Sequence, residues 1–469
     1  MDLSALTGGG TPGQAQQSAV EYTAQVVSPL VSGEVKMVIG ESALSITALF
    51  GAAELAFAEI NALDFADYTI TVCSDSGDFT FSRMGQWAQS FYDALCAAYN
   101  KAALRAMFIK TTPLITAKGD YRYSENGTDK SGAAPVHVFD SCVAILPPDL
   151  SARRVPLCFV KGLDKSDYEL TLRLDTGESY TCAKLGYDTI PFADALERQL
   201  RALREKSLAA VKELAPAISS AQAAQLAGLI PEGAAAAIGE LAAISPEFVA
   251  ALEEKLSATR AAESYKVFKE LCGPEQICIG FRKNEAGTGI VGTGLPDILS
   301  SVPGVEPKND GEPEEVAADP YLLWLIAPSP DGRYAAVEFA EADAATFVYK
   351  TGGDFDRFAR QLNRALEAIG FKREVIRLTD SELKRPENAD YYMAAKRTTS
   401  LKFVRANFAG RVIHSGADGW KRKLTELWSA DPSVQLHSPT VQPAASFCAG
   451  CGAALTPGVK FCGACGGKV

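Results

Sequence analysis

Apolar and polar positions alternate over residues 168–174, which read Tyr-Glu-Leu-Thr-Leu-Arg-Leu. A period of two predicts a strand that buries one face. Asp175-Thr176-Gly177 has the composition of a turn, and Ser179–Ala183 predicts the returning strand of a hairpin. A segment with apolar residues at helical spacing follows, and these are Phe192, Ala195, Leu196 and Leu200. Several antiparallel strands followed by one amphipathic helix predict an α+β module of about a hundred residues.

The same pattern occurs one hundred residues earlier, which indicates an internal duplication. Seven residues recur at this offset, and five more recur after a one-residue insertion. The identical pairs are Leu63 and Leu163, Asp64 and Asp164, Asp67 and Asp167, Tyr68 and Tyr168, Thr71 and Thr171, Asp75 and Asp175, Gly77 and Gly177, Gly85 and Gly186, Phe91 and Phe192, Asp93 and Asp194, Ala94 and Ala195, and Leu95 and Leu196.

A weaker third copy lies a further 166 residues along the chain. Its matching residues are Tyr334, Lys350, Gly352, Asp354, Phe358, Ala359, Leu362 and Leu366. Residues 371–429 are either a fourth repeat or an extension that carries a basic patch. The stretch between the second and third copies is rich in alanine and is interrupted at Pro216, Pro231 and Pro246, so we expect three or four helices there.

These patterns predict the following domain plan: a disordered N-terminus at 1–30, the first repeat at 31–113, the second at 136–205, an Ala-rich helical region at 206–272, the third repeat at 275–370, the fourth repeat or extension at 371–429, a flexible linker at 430–446 and a small metal-binding domain at 447–469. The linker is rich in Ser, Pro, Gln and Val, a composition typical of a tether.

The last domain carries the clearest chemistry in the chain. Two C-x-x-C pairs, each followed by glycine, supply four thiolates: Cys448, Cys451, Cys462 and Cys465. Ten residues separate the inner cysteines, which is enough for a short hairpin to bring the two pairs together. Four thiolates at this spacing predict one tetrahedral Zn²⁺ site, and a closed four-sulfur site is structural because no position remains for water.

Two resemblances follow from these residues. The two C-x-x-C-G knuckles resemble the double-knuckle zinc ribbons common at the ends of bacterial proteins. The body resembles tandem bacterial pleckstrin-homology-like domains, in which strands are closed by a C-terminal amphipathic helix. This second resemblance covers roughly residues 35–112, 136–205 and 275–370 and rests on pattern without a signature motif. It implies modules that present binding faces.

Composition indicates the class of protein and the cellular compartment to expect. The chain has 469 residues, 47% of them apolar and 22% charged, which is typical of a soluble globular protein. The seven cysteines outside the tail are scattered in apolar runs, which favours free thiols in a reducing compartment. The N-terminus lacks the basic and apolar regions of a signal peptide, and the stretch 43–63 is interrupted by Glu54 and Glu59. We therefore expect a cytoplasmic protein without a transmembrane segment.

The formal charge of −11 is unevenly distributed. Residues 391–430 carry +6, and their basic residues are Lys396, Arg397, Lys402, Arg405, Arg411, Lys421, Arg422 and Lys423. Basic and apolar residues alternate around Lys402 and Arg411, as in a strand pair with one charged face, and 421–423 lie at a helix start. Such a patch could hold phospholipid headgroups, nucleic acid or an acidic protein surface, and the alternative is an ordinary solvated face.

Catalytic motifs are weak. Gly287-Thr288-Gly289-Ile290-Val291-Gly292 fits G-x-G-x-x-G, but Gly294 and Pro296 prevent the helix that a dinucleotide site requires. The three histidines have no serine or cysteine partner at a recognisable spacing. The basic-x-Gly triplets that begin at Arg83, Lys184 and Lys350 could contact a ligand, although a strand-to-helix turn also needs such a glycine.

We therefore expect a non-enzymatic, zinc-binding scaffold or adaptor that binds protein partners. The alternative is binding of nucleic acid or an anionic membrane through the basic segment and the zinc ribbon. An enzyme with carboxylate chemistry is a third hypothesis, and the sequence identifies no small-molecule substrate.

Overall fold

A computed structural model describes residues 20–166, 168–231, 234–283, 321–340, 345–414 and 416–429. The chain divides into two compact units. Of the described residues, the first unit contains those up to Arg204 together with Arg364–Lys402, and the second contains those between Glu205 and Asn363 and those from Phe403 onward. Three antiparallel sheets and their helices make an α+β fold, which confirms the predicted class at this level.

The first module consists of one sheet and one helix. Its seven described strands are β1 (Glu21–Val27), β2 (Ser32–Ile39), β3 (Ala43–Ala48), β4 (Ala52–Ala56), β5 (Ile60–Ala66), β6 (Thr69–Ser74) and β7 (Phe79–Ser82). Their order in the sheet is β4-β3-β2-β1-β7-β6-β5. Helix α1 (Trp87–Ala106) follows β7 and buries Phe91, Leu95 and Tyr99 in the core of this sheet.

The second module repeats this arrangement. Its seven described strands are β8 (Ile115–Glu125), β9 (Thr128–Val138), β10 (Cys142–Ile145), β11 (Arg153–Pro156), β12 (Val160–Ser166), β13 (Glu169–Leu174) and β14 (Ser179–Ala183). Their order is β11-β10-β9-β8-β14-β13-β12, which is the order of the first sheet strand for strand. Helix α2 (Thr189–Leu214) follows β14, and its predicted apolar positions Phe192, Ala195 and Leu196 are buried.

Register confirms the repeated sheet module residue by residue. Asp64 lies opposite Thr71 in the first module, and Asp164 lies opposite Thr171 in the second. The fifth strand has an irregularity in its register at the same place in both modules, between Ile60 and Ala62 and between Val160 and Gly162. Two chance hairpins would not share strand order, register and a bulge, so the identities at an offset of one hundred reflect equivalent positions.

The third sheet belongs to the second unit and has a different topology. Its described strands β15 (Ala235–Ala237), β16 (Cys278–Lys283), β17 (Tyr321–Pro328), β18 (Tyr334–Phe339), β19 (Ala345–Lys350) and β20 (Phe408–Ile413) pair in chain order. The third predicted copy therefore shares a strand pair and the following helix with the second, but not its strand order. Tyr334 lies opposite Lys350, as the sequence match to Tyr168 and Lys184 implies.

The Ala-rich region is helical, as predicted. It forms α3 (Ser220–Leu229), α4 (Ile238–Ile244), α5 (Pro246–Ser257) and α6 (Ala261–Leu271), whose buried residues join one core with the third sheet. Helix α3 ends shortly before Pro231, and Pro246 occupies the first turn of α5, where its missing N–H costs nothing. Helix α7 (Phe355–Ala368) follows β19.

Residues 371–429 are mainly helical. They form α8 (Glu374–Arg377), α9 (Asp380–Leu383), α10 (Ala389–Arg397), α11 (Thr399–Ala406), strand β20 and α12 (Ala417–Trp428). This is an extension, because it supplies one strand to the third sheet instead of a sheet of its own. The predicted strand pair around Lys402 is wrong: Leu401 and Val404 are both buried, and their spacing of three places them on one helical face.

Two predicted boundaries also change. Strand β1 lies within the N-terminal stretch for which we predict disorder, so that prediction is wrong for Glu21–Val27. The second module begins with the long hairpin of β8 and β9, whereas the sequence places its start at residue 136. The exposed residues Asp129–Ala133 obscure the alternation in β9. In the described part of the chain, no helix is long and apolar enough to span a bilayer.

Candidate functional site

The turn between the fifth and sixth strands is conformationally unusual in both modules. Asp67 and Tyr68 have φ values of 50° and 57°, and Tyr168 has a φ of 62°. Positive φ is unfavourable for a residue with a Cβ atom, and a bulky aromatic residue is rarely placed there. Both tyrosine side chains are nevertheless 73% exposed. The conformation and the exposure are thus preserved together in the two copies.

The strand-to-helix connection lies beside this turn. Lys184 N donates a hydrogen bond to Tyr168 O at 3.3 Å, and the register of β6 and β7 places Arg83 opposite Tyr68. Arg83 and Lys184 also have positive φ values, of 60° and 54°. Gly85 and its counterpart Gly186 follow with φ values of 56° and 62°. These angles agree with the structural interpretation of the basic-x-Gly triplet, in which the glycine allows the strand-to-helix turn.

A second exposed aromatic residue follows each glycine. Trp87 is 59% exposed at the start of α1, and Tyr187 is fully exposed just before α2. We call these sets the aromatic corners: Tyr68, Arg83 and Trp87 in the first module, and Tyr168, Lys184 and Tyr187 in the second. Rings of this kind bury large apolar areas and also donate a hydrogen bond, which suits protein recognition.

The chain tolerates an energetic cost at these corners. A non-glycine residue at positive φ costs on the order of 1 kcal/mol, and neither exposed ring recovers that cost by packing into the core. The internal repeat marks Tyr68 and Tyr168 by their identity, but their exposure and strained backbone are visible only in the structure. The available sequence signal was a tyrosine at a turn position that Asn or Gly would serve better.

Part of the basic segment is internal to the first unit. Lys396 Nζ lies 2.8 Å from Asp75 Oδ2 and also donates to the carbonyl oxygens of Ala58 and Glu59. Burial lowers the pKa of Lys396, and the contact with Asp75 offsets this only partly. Burial alone would raise the pKa of Asp75, but hydrogen bonds from Lys396, Tyr392 and an asparagine hold it below its ordinary value. This basic residue stabilises the fold.

Arg397 is likewise internal, since it is only 4% exposed. Its guanidinium donates to Tyr99 Oη, to Met393 O at 3.1 Å and to Ile60 O at 3.3 Å. Arg397 thereby links α10 to both α1 and the first sheet. A residue held in this way is not available to an anionic partner on the surface.

The remaining six basic residues do not form one strand face. Lys402 lies on α11, where burial and the nearby Arg153 lower its pKa. Arg405 belongs to the same helix, and Arg411 lies in β20. The predicted helix at 421–423 is confirmed as part of α12, where Lys421 Nζ lies 2.6 Å from Glu270 Oε2. Two neighbouring residues complete the set: Arg422 lies 3.9 Å from Glu426, and Lys423 is exposed.

A small cleft in the first unit is lined by four arginines: Arg153, Arg154, Arg364 and Arg397. Arg153 lies 2.7 Å from Glu125, Arg154 contacts Glu367, and Arg364 lies 2.9 Å from Glu178. The free space is about 30 Å³, which fits one or two waters, whereas ligand pockets begin near 300 Å³. These charges therefore act as cross-links inside the unit.

The structure also brings together a polar cluster that sequence spacing missed. Thr346 Oγ1 donates to Glu338 Oε2 at 2.5 Å and accepts from Trp420 Nε1 at 2.9 Å. His414 Nε2 lies 3.0 Å from the same hydroxyl and 3.3 Å from Glu338 Oε1. Glu338 is 2% exposed in a strand whose residues are all buried, and a carboxylate in such a strand was the available signal. The cluster ties α12 and the end of β20 to strands β18 and β19 of the third sheet.

The predicted zinc ligands Cys448, Cys451, Cys462 and Cys465 lie outside the described residues, as do the linker at 430–446 and the Gly-rich motif that begins at Gly287. Within the described ranges, no group of three or more His, Cys, Asp or Glu residues is arranged to hold a metal ion.

Comparisons with known proteins add little. No family model matches the chain, and no curated protein matches it either. Among solved structures, the chain is similar to one described as "Structure of the Spt16D Pob3N heterodimer", with 14% sequence identity and a TM-score of 0.14. The match covers 34% of this chain and 86% of the other. A similarity at this TM-score supports no conclusion about fold or function.

Proposed function

We propose that this protein is a non-enzymatic scaffold or adaptor that binds other proteins through its repeated modules and a tethered zinc ribbon. The aromatic corners carry the proposal. They retain exposed rings and unfavourable backbone angles in both copies, and recognition of a partner would explain why these features persist.

The proposal also includes the pleckstrin-homology-like character of the two modules. Seven antiparallel strands followed by one helix, repeated with the same strand order, agree with that resemblance. The proposed zinc ribbon would add a further contact surface at the end of its linker. Structural zinc lets a segment of this size fold without a core of its own, since metal binding supplies the folding free energy.

A pull-down from the native host tests the proposal. The baits are the unmodified chain, the variant Tyr68→Ala with Tyr168→Ala, a chain without residues 430–469, and Leu114→Ala as a matched control for loss of an exposed apolar side chain. We expect the control to recover the same proteins as the unmodified chain and the double variant to lose at least one of them. Identical recovery by all baits would contradict a recruiting role for both the corners and the tail.

The alternative, an anion-binding protein, has less support, because Lys396, Arg397 and Lys421 contact groups within their own units. Retention on heparin or anionic liposomes tests it directly. If the basic segment binds anions, retention falls with added salt and with Lys421→Glu combined with Arg422→Glu. Retention that ignores both changes, or no retention, rejects this alternative.

A further inference from the structure

The cleft that is lined by four arginines contains one charge that the cross-links do not neutralise. Three of the arginines pair with glutamates in the way described above. The fourth, Arg397, contacts only uncharged acceptors in the described part of the chain, namely the Tyr99 hydroxyl and two main-chain carbonyl oxygens. A buried guanidinium without a counter-ion is costly, so an anion in the cleft would stabilise it.

Two buried donor atoms of the same cleft also lack acceptors. The Nε atoms of Arg397 and Arg154 have no hydrogen-bond partner among the described residues, and both arginines line the cleft. A guanidinium N–H can only donate, and burying such a donor without an acceptor carries the full desolvation penalty. A small group that offers several acceptor oxygens within the cleft would remove this penalty.

The first turn of α11 forms another wall of the cleft. Thr399 and Ser400 line it, and they are the first two residues of this helix. The first N–H groups of a helix have no partner within the helix, and they carry its partial positive charge. Lys402 lies in the same turn, where burial lowers its pKa and the nearby Arg153 and Arg397 lower it further, partly offset by a glutamate. These cations are therefore close enough to repel one another.

We propose that this cleft binds one tetrahedral oxyanion of the size of phosphate, held between Arg397, Arg154 and the first turn of α11. The free space of about 30 Å³ excludes a whole metabolite, but it suits such an ion, because all four oxygens lie within one bond length of the central atom. Heparin and bilayers cannot enter the cleft, so this site is distinct from surface binding by the basic segment. It also does not depend on the proposed zinc ribbon or on the aromatic corners.

Titration of the full chain with inorganic phosphate tests the proposal, with sodium chloride at matched ionic strength as the control. We expect calorimetry to show saturable binding of one phosphate per chain. The thermal unfolding midpoint should rise with phosphate and not with chloride, since a ligand of the folded state stabilises it by mass action. O-phosphoserine distinguishes two sources of the same group: weaker binding than phosphate assigns the site to the free ion, and equal or tighter binding assigns it to the phosphate end of a larger ligand.

Four variants locate the site. Ser400→Asp places a carboxylate in the cleft, and it should weaken phosphate binding about tenfold or more, because like charges would share the site. Ser220→Asp is the matched control: it adds the same charge to the first turn of α3, outside the cleft, and should bind phosphate like the unmodified chain.

Arg397→Met tests the unpaired charge itself and should also weaken phosphate binding about tenfold, since a charged donor is lost. If this buried substitution prevents folding, Lys402→Glu replaces it, because Lys402 is exposed beside the cleft and its reversal opposes the anion. Equal effects of phosphate and chloride on the unmodified chain would overturn the proposal. Undiminished phosphate binding by Ser400→Asp would overturn it as well.

Discussion

At the scale of single residues, Lys396 shows how a basic side chain becomes structural. Its ammonium bridges Asp75 and two carbonyl oxygens of the first module, so it fixes α10 to the sheet. Lys36 makes a similar pair with Glu21, yet both partners of that pair are at least half exposed. The buried pair contributes more to the stability of the fold, because water screens the attraction between the exposed charges.

We therefore predict that Lys396→Met destabilises the chain by about 1–3 kcal/mol in urea unfolding, because it removes one charged donor from three partly buried acceptors. Lys36→Met is the matched control, and its unfolding midpoint should not move. Similar behaviour of the two variants would show that the Lys396 contacts contribute nothing to the fold.

His137 in β9 predicts a pH dependence. It is half-buried near Phe139, and burial lowers its pKa from the ordinary value of 6.5. The unfolded chain then takes up the proton first, so this residue's contribution to stability is present above pH 6.5 and is lost as the pH falls through the lowered pKa. We expect His137→Phe to lose less stability than the unmodified chain between about pH 7.5 and about pH 5.5. Equal losses in urea unfolding at the two pH values would contradict this assignment.

At the scale of elements, the sequence predicts most reliably where a pattern is repeated. The strand and helix that contain Leu172 and Phe192 have regular periods and occur as predicted. The start of β9 does not follow from the pattern, because Thr128–Ala133 are all exposed and carry no alternation. The predicted start at residue 136 also omits β8, although Tyr121 and Tyr123 alternate there with exposed residues. The pattern around Lys402 predicts a strand where the structure has the short helix α11, because eight residues show either period equally well.

Only part of the candidate site could likewise be predicted from the sequence. Identity between the copies marks Tyr68 and Tyr168, but no local pattern reports a φ value or an exposed fraction. The cluster of Glu338, Thr346 and His414 joins a strand pair to a histidine 68 residues further along the chain, so no spacing rule could identify it.

The third sheet contains a close approach that makes a further prediction. Gly280 in β16 faces Trp324 in β17, and a Cβ atom at Gly280 would overlap the ring carbons of that fully buried tryptophan. We expect Gly280→Ala to cost about 1–3 kcal/mol in urea unfolding, since the ring cannot move without disturbing the core. Gly228→Ala is the control: it lies in α3 with open space around it, and it should be neutral or stabilising by up to about 1 kcal/mol. An unchanged midpoint for Gly280→Ala would mean that the sheet yields at this point.

At the scale of the whole molecule, duplication has a consequence that one module alone would not have. The second module places the connection between β10 and β11 along the β5 edge of the first module, where Leu63 N donates to Pro148 O and Leu150 N donates to Asn61 O. The two copies thereby belong to one compact unit. The tail has no counterpart in the modules, so any role that it plays in recruiting partners is separable from that contact.

The tail makes the last prediction, which concerns cysteine reactivity across the chain. Zinc should shield Cys448, Cys451, Cys462 and Cys465 from iodoacetamide, and a chelator should expose them together because a four-ligand site fails as a unit. Cysteines in the cores give an internal reference. Burial raises the pKa of Cys142 to about 11 and that of Cys182 to about 12, so both should remain unmodified until the chain unfolds.

Mass spectrometry of the intact and digested chain, before and after chelation, measures the modification of the tail cysteines and of the core cysteines separately. Cys448→Ser is the matched variant, and it should leave the other three tail cysteines reactive even with zinc present. Tail cysteines that react alike with and without the chelator would exclude the zinc site. Reaction of Cys142 or Cys182 in the native chain would instead show that the core of the second module opens to solvent.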